Sequence, residues 1–227
     1  MNEKSIQGIL QKTGAVITKT HVVYTSGRHG NAYVNKDAIY PYTSDISSLC
    51  SLFAEHFEEY EIEVVLAPAV GGIILSQWTA DHLSKLTACT ILSIYAEKEV
   101  VAIDDPNGKG RKCFIETGEF VIGRGYGNLI KDKKVLVLED VATTGGSVKK
   151  VVEAARKYGG NVVGVGVLCN RGGITPADIA NPPELFSIVN VDLESWTEEE
   201  CPLCAQGVSI NTAVGKGQHF LARKNAR

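Results

Sequence analysis

Residues 134–147 read KVLVLEDVATTGGS, in which an apolar run is followed by two acids and a polar turn. Lys134–Leu138 is rich in β-branched and apolar residues, as buried strands are, and Ser147–Tyr158 carries apolar side chains at helical spacing. Glycines let the backbone turn its N–H groups toward one point, hydroxyls add hydrogen-bond donors, and a helix N-terminus attracts anions. The segment therefore predicts a strand, a phosphate-binding loop and a helix, in that order.

Strands and helices alternate on both sides of this segment. The predicted strands are residues 63–67, 88–95, 134–138, 161–169 and 185–191, and the predicted helices are residues 44–59, 147–158 and a segment that begins near residue 73. Such alternation is typical of right-handed βαβ units, so we expect an α/β fold with a mainly parallel central sheet flanked by helices. Ligands of these sheets bind beyond the carboxyl ends of the strands.

The chain of 227 residues is long enough for a single α/β domain with a small addition. We expect its core over about residues 44–192. The segments 1–43 and 193–227 do not follow the alternation and are expected to form a small hood over the sheet edge. Residues 98–124 lack a clear period, and the sequence leaves open whether they form a catalytic lid or a solvated β-hairpin.

Composition and charge exclude several classes of protein. The formal net charge is −3, which gives no general attraction to nucleic acid. The longest apolar runs are far shorter than the ~20 residues that cross a bilayer. Met1–Lys4 mixes charges and lacks the apolar core of a secretory signal. We therefore expect a cytoplasmic protein that binds neither nucleic acid nor a membrane.

The sequence contains six cysteines, most of them in apolar stretches where a reduced thiol behaves as a small hydrophobe. Cys201 and Cys204 form a CxxC pair, whose spacing suits half of a zinc site or a redox pair. A zinc site needs four ligands, and no second paired-ligand motif is present. The pattern favours a C-terminal turn with two packed thiols, and we predict no metal ligand among the site residues.

The two acids of the opening segment, Glu139 and Asp140, indicate a sugar phosphate as the ligand rather than a nucleoside triphosphate. No lysine follows the glycines as in a Walker loop, and the dinucleotide pattern GxGxxG is absent. The carboxylates can accept hydrogen bonds from ribose hydroxyls, stabilise positive charge at the anomeric carbon and keep a divalent metal nearby. The alternative is an ordinary strand-to-helix turn capped by threonine and glycine.

The segment resembles the signature for 5-phosphoribosyl 1-diphosphate (PRPP) of the type I phosphoribosyltransferases: an apolar strand, two acids, two small apolar residues and Thr-Thr-Gly-Gly-Ser. Further stretches resemble the orotate-using branch of that family and cover most of the chain. These stretches are YTSGRH at 24–29, APAVGGI at 67–73, YAEKE at 95–99 and LCNRGG at 168–173.

The resemblance implies a role for each matching residue. Arg28 would meet the pyrophosphate, Lys98 would be the first lysine of a flexible catalytic loop, and Arg171 would bind the orotate carboxylate. The implied catalytic residues are Lys98, Glu139 and Asp140; those that bind PRPP are Arg28, Val70, Gly71, Lys98, Glu139, Asp140, Val141, Ala142, Thr143, Thr144, Gly145, Gly146 and Ser147; those that bind the base are Tyr33, Thr143 and Arg171.

The chain departs from the family pattern in two places. Val70 and Gly71 stand where family members commonly carry an aromatic residue and a lysine. In the catalytic loop Glu97 replaces a usual arginine, and the later lysine and histidine are absent. Substitutes for that pair are Lys109, Arg111 and Lys112.

The resemblance implies transfer of ribose 5-phosphate from PRPP to orotate in pyrimidine nucleotide synthesis, with Mg²⁺ as the cofactor and a homodimer as the assembly. Two alternatives stay open at this point. One is transfer to another base, and the other is a catalytically weak regulator that senses PRPP.

Overall fold

A computed structural model describes residues 2–24, 26–104, 112–191 and 194–225. The chain divides into two compact units. One is continuous and comprises Ile46–Val191, and the other combines Met1–Asp45 with Asp192–Arg227. Each unit has its own β-sheet.

The continuous unit alternates strands with helices. Its elements are α2 (Thr43–Phe57, which begins just before the unit), β3 (Val64–Pro68), α3 (Gly72–Thr87), β4 (Leu92–Asp104), β5 (Lys112–Val121), α4 (Gly127–Ile130), β6 (Lys134–Ala142), α5 (Gly146–Lys157), β7 (Asn161–Asn170) and β8 (Leu185–Asn190). Short 3₁₀ helices cover Glu58–Tyr60 and Pro176–Ile179.

Within the described residues, these strands form a six-stranded sheet in the order β5-β4-β3-β6-β7-β8. Strand β4 pairs antiparallel with β5, and all the other pairs are parallel. The predicted α/β fold with a mainly parallel sheet is therefore confirmed. Because β3, β6 and β7 run in the same direction, the segments that follow them lie along one edge of the sheet.

The apolar runs of the sequence explain the core of this unit. Val135, Leu136, Val137 and Leu138 of β6 are all fully buried, as a central parallel strand between two helical layers requires. Burial of each such side chain contributes about 1.5–3 kcal/mol. The helix α5 adds the valines at 148, 151 and 152 to the same core. The loop between β6 and α5 is thus held at both ends by buried elements.

Two predictions about this unit need correction or completion. The strand expected over residues 88–95 begins only at Leu92, because Ala88 takes a left-handed conformation (φ 55°) at the end of α3. Over residues 98–124, for which a lid or a hairpin was open, the described parts 98–104 and 112–121 pair antiparallel as β4 and β5, as in a hairpin. Lys109 and Arg111 lie outside the described residues.

The second unit is built on an antiparallel hairpin and the C-terminal segment. Its elements are α1 (Glu3–Lys12), β1 (Val16–Val23), β2 (His29–Val34), a 3₁₀ turn (Lys36–Ala38), β9 (Ser195–Trp196), α6 (Pro202–Ala205) and α7 (Gly217–Asn225). Its described strands pair in the order β1-β2-β9. The C-terminal segment is hydrogen-bonded to β1, where the N–H groups of Asn211 and Lys216 donate to the carbonyls of His21 and Val23, each at 2.7 Å.

Candidate active site

A pocket of about 170 Å³ lies at the end of β6. Its lining begins at an acid of the strand, passes through the threonines and glycines of the loop and ends in the first turn of α5. The described residues that line it are Glu139, Val141, Ala142, Thr143, Thr144, Gly145, Gly146, Ser147 and Val148. One continuous stretch of sequence therefore builds the whole concave surface.

The loop turns into the helix at Gly145, which has φ +73°. A Cβ atom at this position would lie 2.7 Å from Cγ2 of Ile179, so both the backbone conformation and the packing require glycine. Among the described residues, no side chain caps the N-terminus of α5. Since the first N–H groups of a helix have no partner within it, the start of α5 offers backbone donors and a positive dipole end to an anion in the pocket.

The two acids of the predicted site are buried but have different surroundings. Glu139 is 6% exposed and Asp140 5%. The N–H of Asp140 donates to Glu139 Oε1 at 3.1 Å, and the N–H of Val141 donates to Asp140 Oδ1 at 2.6 Å. Successive side chains of a strand point to opposite faces, which agrees with Glu139, rather than Asp140, lining the pocket.

Asp140 and Arg171 both influence the Cys169 thiol on the neighbouring strand β7. Burial raises the pKa of the Cys169 thiol to about 11, the positive charge of Arg171 lowers it, and the negative charge of Asp140 raises it. Val141, which follows Asp140, pairs with Cys169 in the sheet, so the backbone of this acid lies next to the strand whose end carries Arg171.

Backbone contacts place Arg171 beside the loop. Its N–H donates to the carbonyl of Ala142 at 2.8 Å. At the next residue, Gly172, a Cβ atom would lie only 1.6 Å from the carbonyl oxygen of Thr143, so the two loops touch through their backbones. The buried Asn170 side chain fixes the turn by exchanging hydrogen bonds with the backbone of Ile174, at 2.9 and 3.1 Å.

The predicted pyrophosphate loop follows β3 at the same edge of the sheet. The N–H of Ala69 donates to the carbonyl of Ala96 at 2.7 Å, and Val70 is 82% exposed. The helix α3 begins at Gly72, where a Cβ atom would lie 2.6 Å from that of Ala67. This tight turn leaves the loop with small side chains and an accessible backbone, in keeping with a contact through N–H groups.

Lys98 lies on β4, two residues beyond Ala96, which pairs with the last residue of β3. Its Nζ forms an ion pair with Glu116 at 2.8 Å across the hairpin, and both side chains are 56% exposed. The described lining of the pocket does not include it. The catalytic role of Lys98 stays a prediction.

Glu97, which stands in place of the arginine usual at this position, has a partner that was not predicted from the sequence. Arg124, which follows the second strand of the hairpin, donates to both carboxylate oxygens of Glu97 at 2.8 and 2.9 Å. Its guanidinium carbon lies 5.6 Å from the centre of the Tyr95 ring. These hydrogen bonds lower the pKa of the Glu97 carboxyl. The pair closes the base of the hairpin next to Lys98. Opposite charges at positions 97 and 124 were the only sequence signal for it.

Comparisons with known proteins agree with this geometry. Residues 46–203 match the model of the phosphoribosyl transferase domain. The orotate phosphoribosyltransferase of Thermotoga maritima is 34% identical over 93% of this chain and 98% of its own length. That of Caldanaerobacter subterraneus is 33% identical over 92% of this chain and 96% of its own length.

The chain belongs to the orotate phosphoribosyltransferase family. A solved structure of the Mycobacterium tuberculosis orotate phosphoribosyltransferase in complex with PRPP is similar in fold, with a TM-score of 0.57 over 82% of this chain and 96% of that one, at 19% identity. The predicted resemblance to the type I phosphoribosyltransferases is thus confirmed, and so is the fold that it implied.

The remaining residues implied by the family resemblance, Arg28 and Tyr33, belong to the second unit. The Arg28 guanidinium donates to the side chain and the carbonyl of Ser195. Tyr33 is half-buried on β2 and pairs with Ile17 of β1. Their roles toward pyrophosphate and base stay predictions.

The hairpin of this orotate phosphoribosyltransferase-like chain is also fixed to α5. Lys150, in the second turn of the helix, donates to the carbonyl of Gly118 on β5 and lies 3.5 Å from Glu119. The hairpin arm is therefore attached to the helix whose N-terminus closes the pocket. Among the described helices, none is long and apolar enough to cross a membrane.

Proposed function

We propose that this protein transfers ribose 5-phosphate from PRPP to N1 of orotate and releases orotidine 5-phosphate and pyrophosphate. The observation that carries the proposal is the pocket in which a buried acid, a hydroxyl-rich loop and a helix N-terminus follow one another in sequence. The names of the relatives support it, as does the similarity of the fold to a solved family member that holds PRPP.

The loop Thr143–Ser147 would bind the 5-phosphate. Backbone N–H groups, hydroxyls and the dipole of α5 supply neutral and partly positive donors, which hold an anion without a lysine. The net charge of −3 gives no field that would draw an anion to the protein as a whole. Binding of PRPP therefore depends on these local donors.

The acids Glu139 and Asp140 would act on the ribose. Their carboxylates accept hydrogen bonds from neighbouring hydroxyls and so fix the ring above the end of β6. As the bond from C1 to the pyrophosphate lengthens, positive charge develops on the ring, and buried carboxylates stabilise it. Burial strengthens this effect because the local dielectric is low.

The departing pyrophosphate would meet the backbone of Val70 and Gly71, together with Arg28 and Lys98. Lys98 is bound to Glu116 in the hairpin, so it must exchange this partner for the leaving group during the reaction. The Lys98 ammonium is then paired with an anion both before and after the exchange. Closure of the hairpin over the substrates would also exclude water from the reacting carbon.

Orotate would be selected by Arg171 and Thr143, with Tyr33 near the base. A guanidinium holds a carboxylate through two parallel hydrogen bonds, and uracil lacks that carboxylate. The backbone N–H of Arg171 donates to the carbonyl of Ala142, which directly precedes the loop Thr143–Ser147. The backbone of Arg171 is therefore held beside the proposed phosphate loop. The reaction thus needs positioning and charge stabilisation, and no covalent intermediate with the protein.

The residues present fit a magnesium cofactor. Most ligands of Mg²⁺ would be oxygens of PRPP itself, and the carboxylates of Glu139 and Asp140 would hold the cation nearby through their negative charge. When bound, Mg²⁺ would neutralise charge on the pyrophosphate. We also propose a homodimer in the cytoplasm that binds no nucleic acid, by analogy with the family.

Pyrophosphate release from PRPP, measured with a panel of bases, tests this function. We expect release with orotate and none with uracil or hypoxanthine. Arg171→Ala should reduce kcat/KM for orotate by about 100-fold or more, since truncating one partner of a buried charge pair costs about 2–5 kcal/mol. Release with hypoxanthine but not orotate would contradict the base assignment, and PRPP binding without release on any base would favour the sensing alternative.

A further inference from the structure

Four side chains of the second unit meet at one point that the transferase chemistry does not use. They are His21 at the end of β1, His29 at the start of β2, and Cys201 and Cys204 around the short helix α6. One nitrogen or sulfur atom from each lies within 4.8 Å of all the others. His21, His29 and Cys201 are buried, and Cys204 is half-buried.

The spacing of these atoms is close to that of a tetrahedral zinc shell. With Zn–N bonds of about 2.05 Å and Zn–S bonds of about 2.3 Å, a tetrahedron has edges of ~3.3 Å between nitrogens and ~3.6 Å between nitrogen and sulfur. The observed His21 Nε2 to His29 Nδ1 distance is 2.9 Å. Sulfur of Cys201 and of Cys204 lies 3.6 Å from His21 Nε2, and that of Cys204 lies 3.3 Å from His29 Nδ1.

The ring of His21 is oriented for a ligand. Its Nδ1 lies 2.7 Å from the carbonyl oxygen of Val208, which can only accept a hydrogen bond. The proton is therefore on Nδ1, and Nε2 presents its lone pair to the cluster. A backbone carbonyl that fixes the tautomer of a metal-binding histidine in this way is the usual outer partner at zinc sites.

The ring of His29 is held by packing. It lies edge-to-face against Phe220, with ring centres 5.0 Å apart. Its Nε2 is buried without a hydrogen-bond partner in the described chain, so only Nδ1 faces the other three groups. A hydrogen bond between the two rings would explain why the two histidines lie together. It would not explain why both thiols also lie next to histidine nitrogen atoms.

A redox pair explains the cluster less well than a metal. The attacking thiol of a disulfide exchange must be accessible, whereas Cys201 is 1% exposed. Both thiols are unbonded in the structure. Two imidazoles directed at the same point as the thiols have no role in a simple disulfide, but they complete the Cys₂His₂ set of structural zinc sites.

We propose that His21 Nε2, His29 Nδ1 and the thiolates of Cys201 and Cys204 bind one structural Zn²⁺. Binding of Zn²⁺ releases the two thiol protons, and the site formed from two thiolates, two neutral imidazoles and the cation is neutral overall. Because the site carries no net charge, it can be buried without the large cost of burying an uncompensated charge. Four protein ligands leave no open position for water or substrate, so the site is structural rather than catalytic.

The metal would fasten the C-terminal segment to the β1–β2 hairpin. Cys201 and His21 are 180 residues apart in sequence. Close to the cluster, the same segment is attached to β1 by the backbone bond from Asn211 to His21 and by a parallel bridge between His21 and Ile210. The cation adds a cross-link where a unit of this size has only a small core.

Metal analysis of the full-length protein, purified without a histidine tag, tests the proposal. We expect about one zinc per chain in the wild type and in the control Cys89→Ser, whose thiol is exposed and lies in the other unit. His219→Ala controls for loss of a histidine in the same unit. His29→Ala and Cys204→Ser should lose at least about nine-tenths of the zinc.

The variant His29→Cys separates a metal ligand from a packed histidine. A Cys₃His set also binds zinc, so this variant should keep about one zinc per chain while His29→Ala does not. A full complement of zinc in His29→Ala, with a wild-type circular dichroism spectrum, would contradict ligation by residue 29. A wild type without zinc, before and after incubation with ZnCl₂, would overturn the proposal, as would a mass 2 Da below the reduced chain.

Cobalt provides a spectroscopic test of the geometry. Apoprotein titrated with Co²⁺ should saturate at one equivalent, with the intense visible bands of a tetrahedral ion and a thiolate charge-transfer band that falls to about half or less in Cys201→Ser. A weak, octahedral type of spectrum would contradict the proposed shell. Removal of zinc by a chelator should lower Tm by at least about 5 °C, because metal binding and folding are coupled. An unchanged Tm would contradict a structural role.

Discussion

At the scale of single residues, the site depends on backbone that leaves no room for side chains. Gly145 is fixed by its left-handed conformation, and Gly172 by contact with the carbonyl of Thr143. The two glycines have different consequences. Gly145 decides how the chain enters α5, whereas Gly172 decides how closely the loop that carries Arg171 approaches the phosphate loop.

Replacing Gly172 by alanine should therefore damage the reaction more than the fold. The added Cβ would lie 1.6 Å from the Thr143 oxygen, so one of the two loops must move by about 1 Å or more. A displacement of this size costs on the order of 100-fold in kcat/KM. Steady-state kinetics and thermal unfolding measure the two effects. Gly8→Ala, where a Cβ meets nothing within 4 Å, is the control. Wild-type kinetics for Gly172→Ala would contradict the packing.

A buried thiol gives a pH dependence of stability. Burial raises the pKa of Cys50 from 9.0 to about 12. Between these values the unfolded chain loses the thiol proton and the folded chain keeps it, so the free energy of unfolding falls as pH rises above 9. We expect the wild type to lose about 1.4 kcal/mol more than Cys50→Ala between pH 8 and pH 10 in urea unfolding. Equal losses in the two proteins would contradict burial of a protonated thiol.

At the scale of secondary-structure elements, the hairpin β4–β5 carries Lys98 and is contacted by Arg124 and Lys150 through ion pairs. Arg124 closes its base through Glu97, and Lys150 attaches β5 to α5. Both contacts are at the surface, where ion pairs contribute about 0–1 kcal/mol to stability. Their effect on function comes from the direction that they give to the hairpin.

Arg124→Ala should lower kcat by about tenfold and change Tm by less than about 3 °C, since Lys98 loses its fixed position while the core is untouched. The matched control is Lys133→Ala, which removes an exposed pair with Glu63 of similar length. The exchange Glu97→Arg with Arg124→Glu should recover most of the turnover. If the single variant and the control have the same kinetics, the pair does not position the hairpin.

Elements whose apolar residues follow a clear pattern were predictable from the sequence. Elements that depend on pairing between strands distant in sequence were not. The central strand β6 and the helix α5 follow from apolar residues that pack in one layer. The hairpin has no such pattern, because β4 continues to Asp104 with mostly exposed side chains that are held by pairing to β5. The late start of β4 at Leu92 reflects the turn at Ala88, which apolar content does not reveal.

At the scale of the whole molecule, one part of the candidate site was predictable from the sequence and another part was not. The phosphate loop was predictable because one stretch of sequence contains it. The placement of the Arg171 backbone beside Ala142 arises from the register of β6 and β7, which only the structure gives. The histidines at 21 and 29 were missed as partners of Cys201 and Cys204, because ligands so far apart in sequence have no fixed spacing.

The proposed reaction needs two anionic substrates on a protein whose net charge is −3. Attraction must come from amides, hydroxyls and a few arginines or lysines placed at the sheet edge, since a general positive field is absent. The account therefore depends on the loop after β6 as the site of the 5-phosphate. Mutations elsewhere change rates, but loss of this contact would remove the basis for the whole mechanism.

A crystal structure of the protein with PRPP and Mg²⁺ tests that contact most directly. The account predicts the 5-phosphate within hydrogen-bond distance of the backbone N–H groups of Thr144–Ser147, with the ribose hydroxyls toward Glu139 and Asp140. Well-defined PRPP bound elsewhere on the chain, with this loop contacting only solvent, would contradict it.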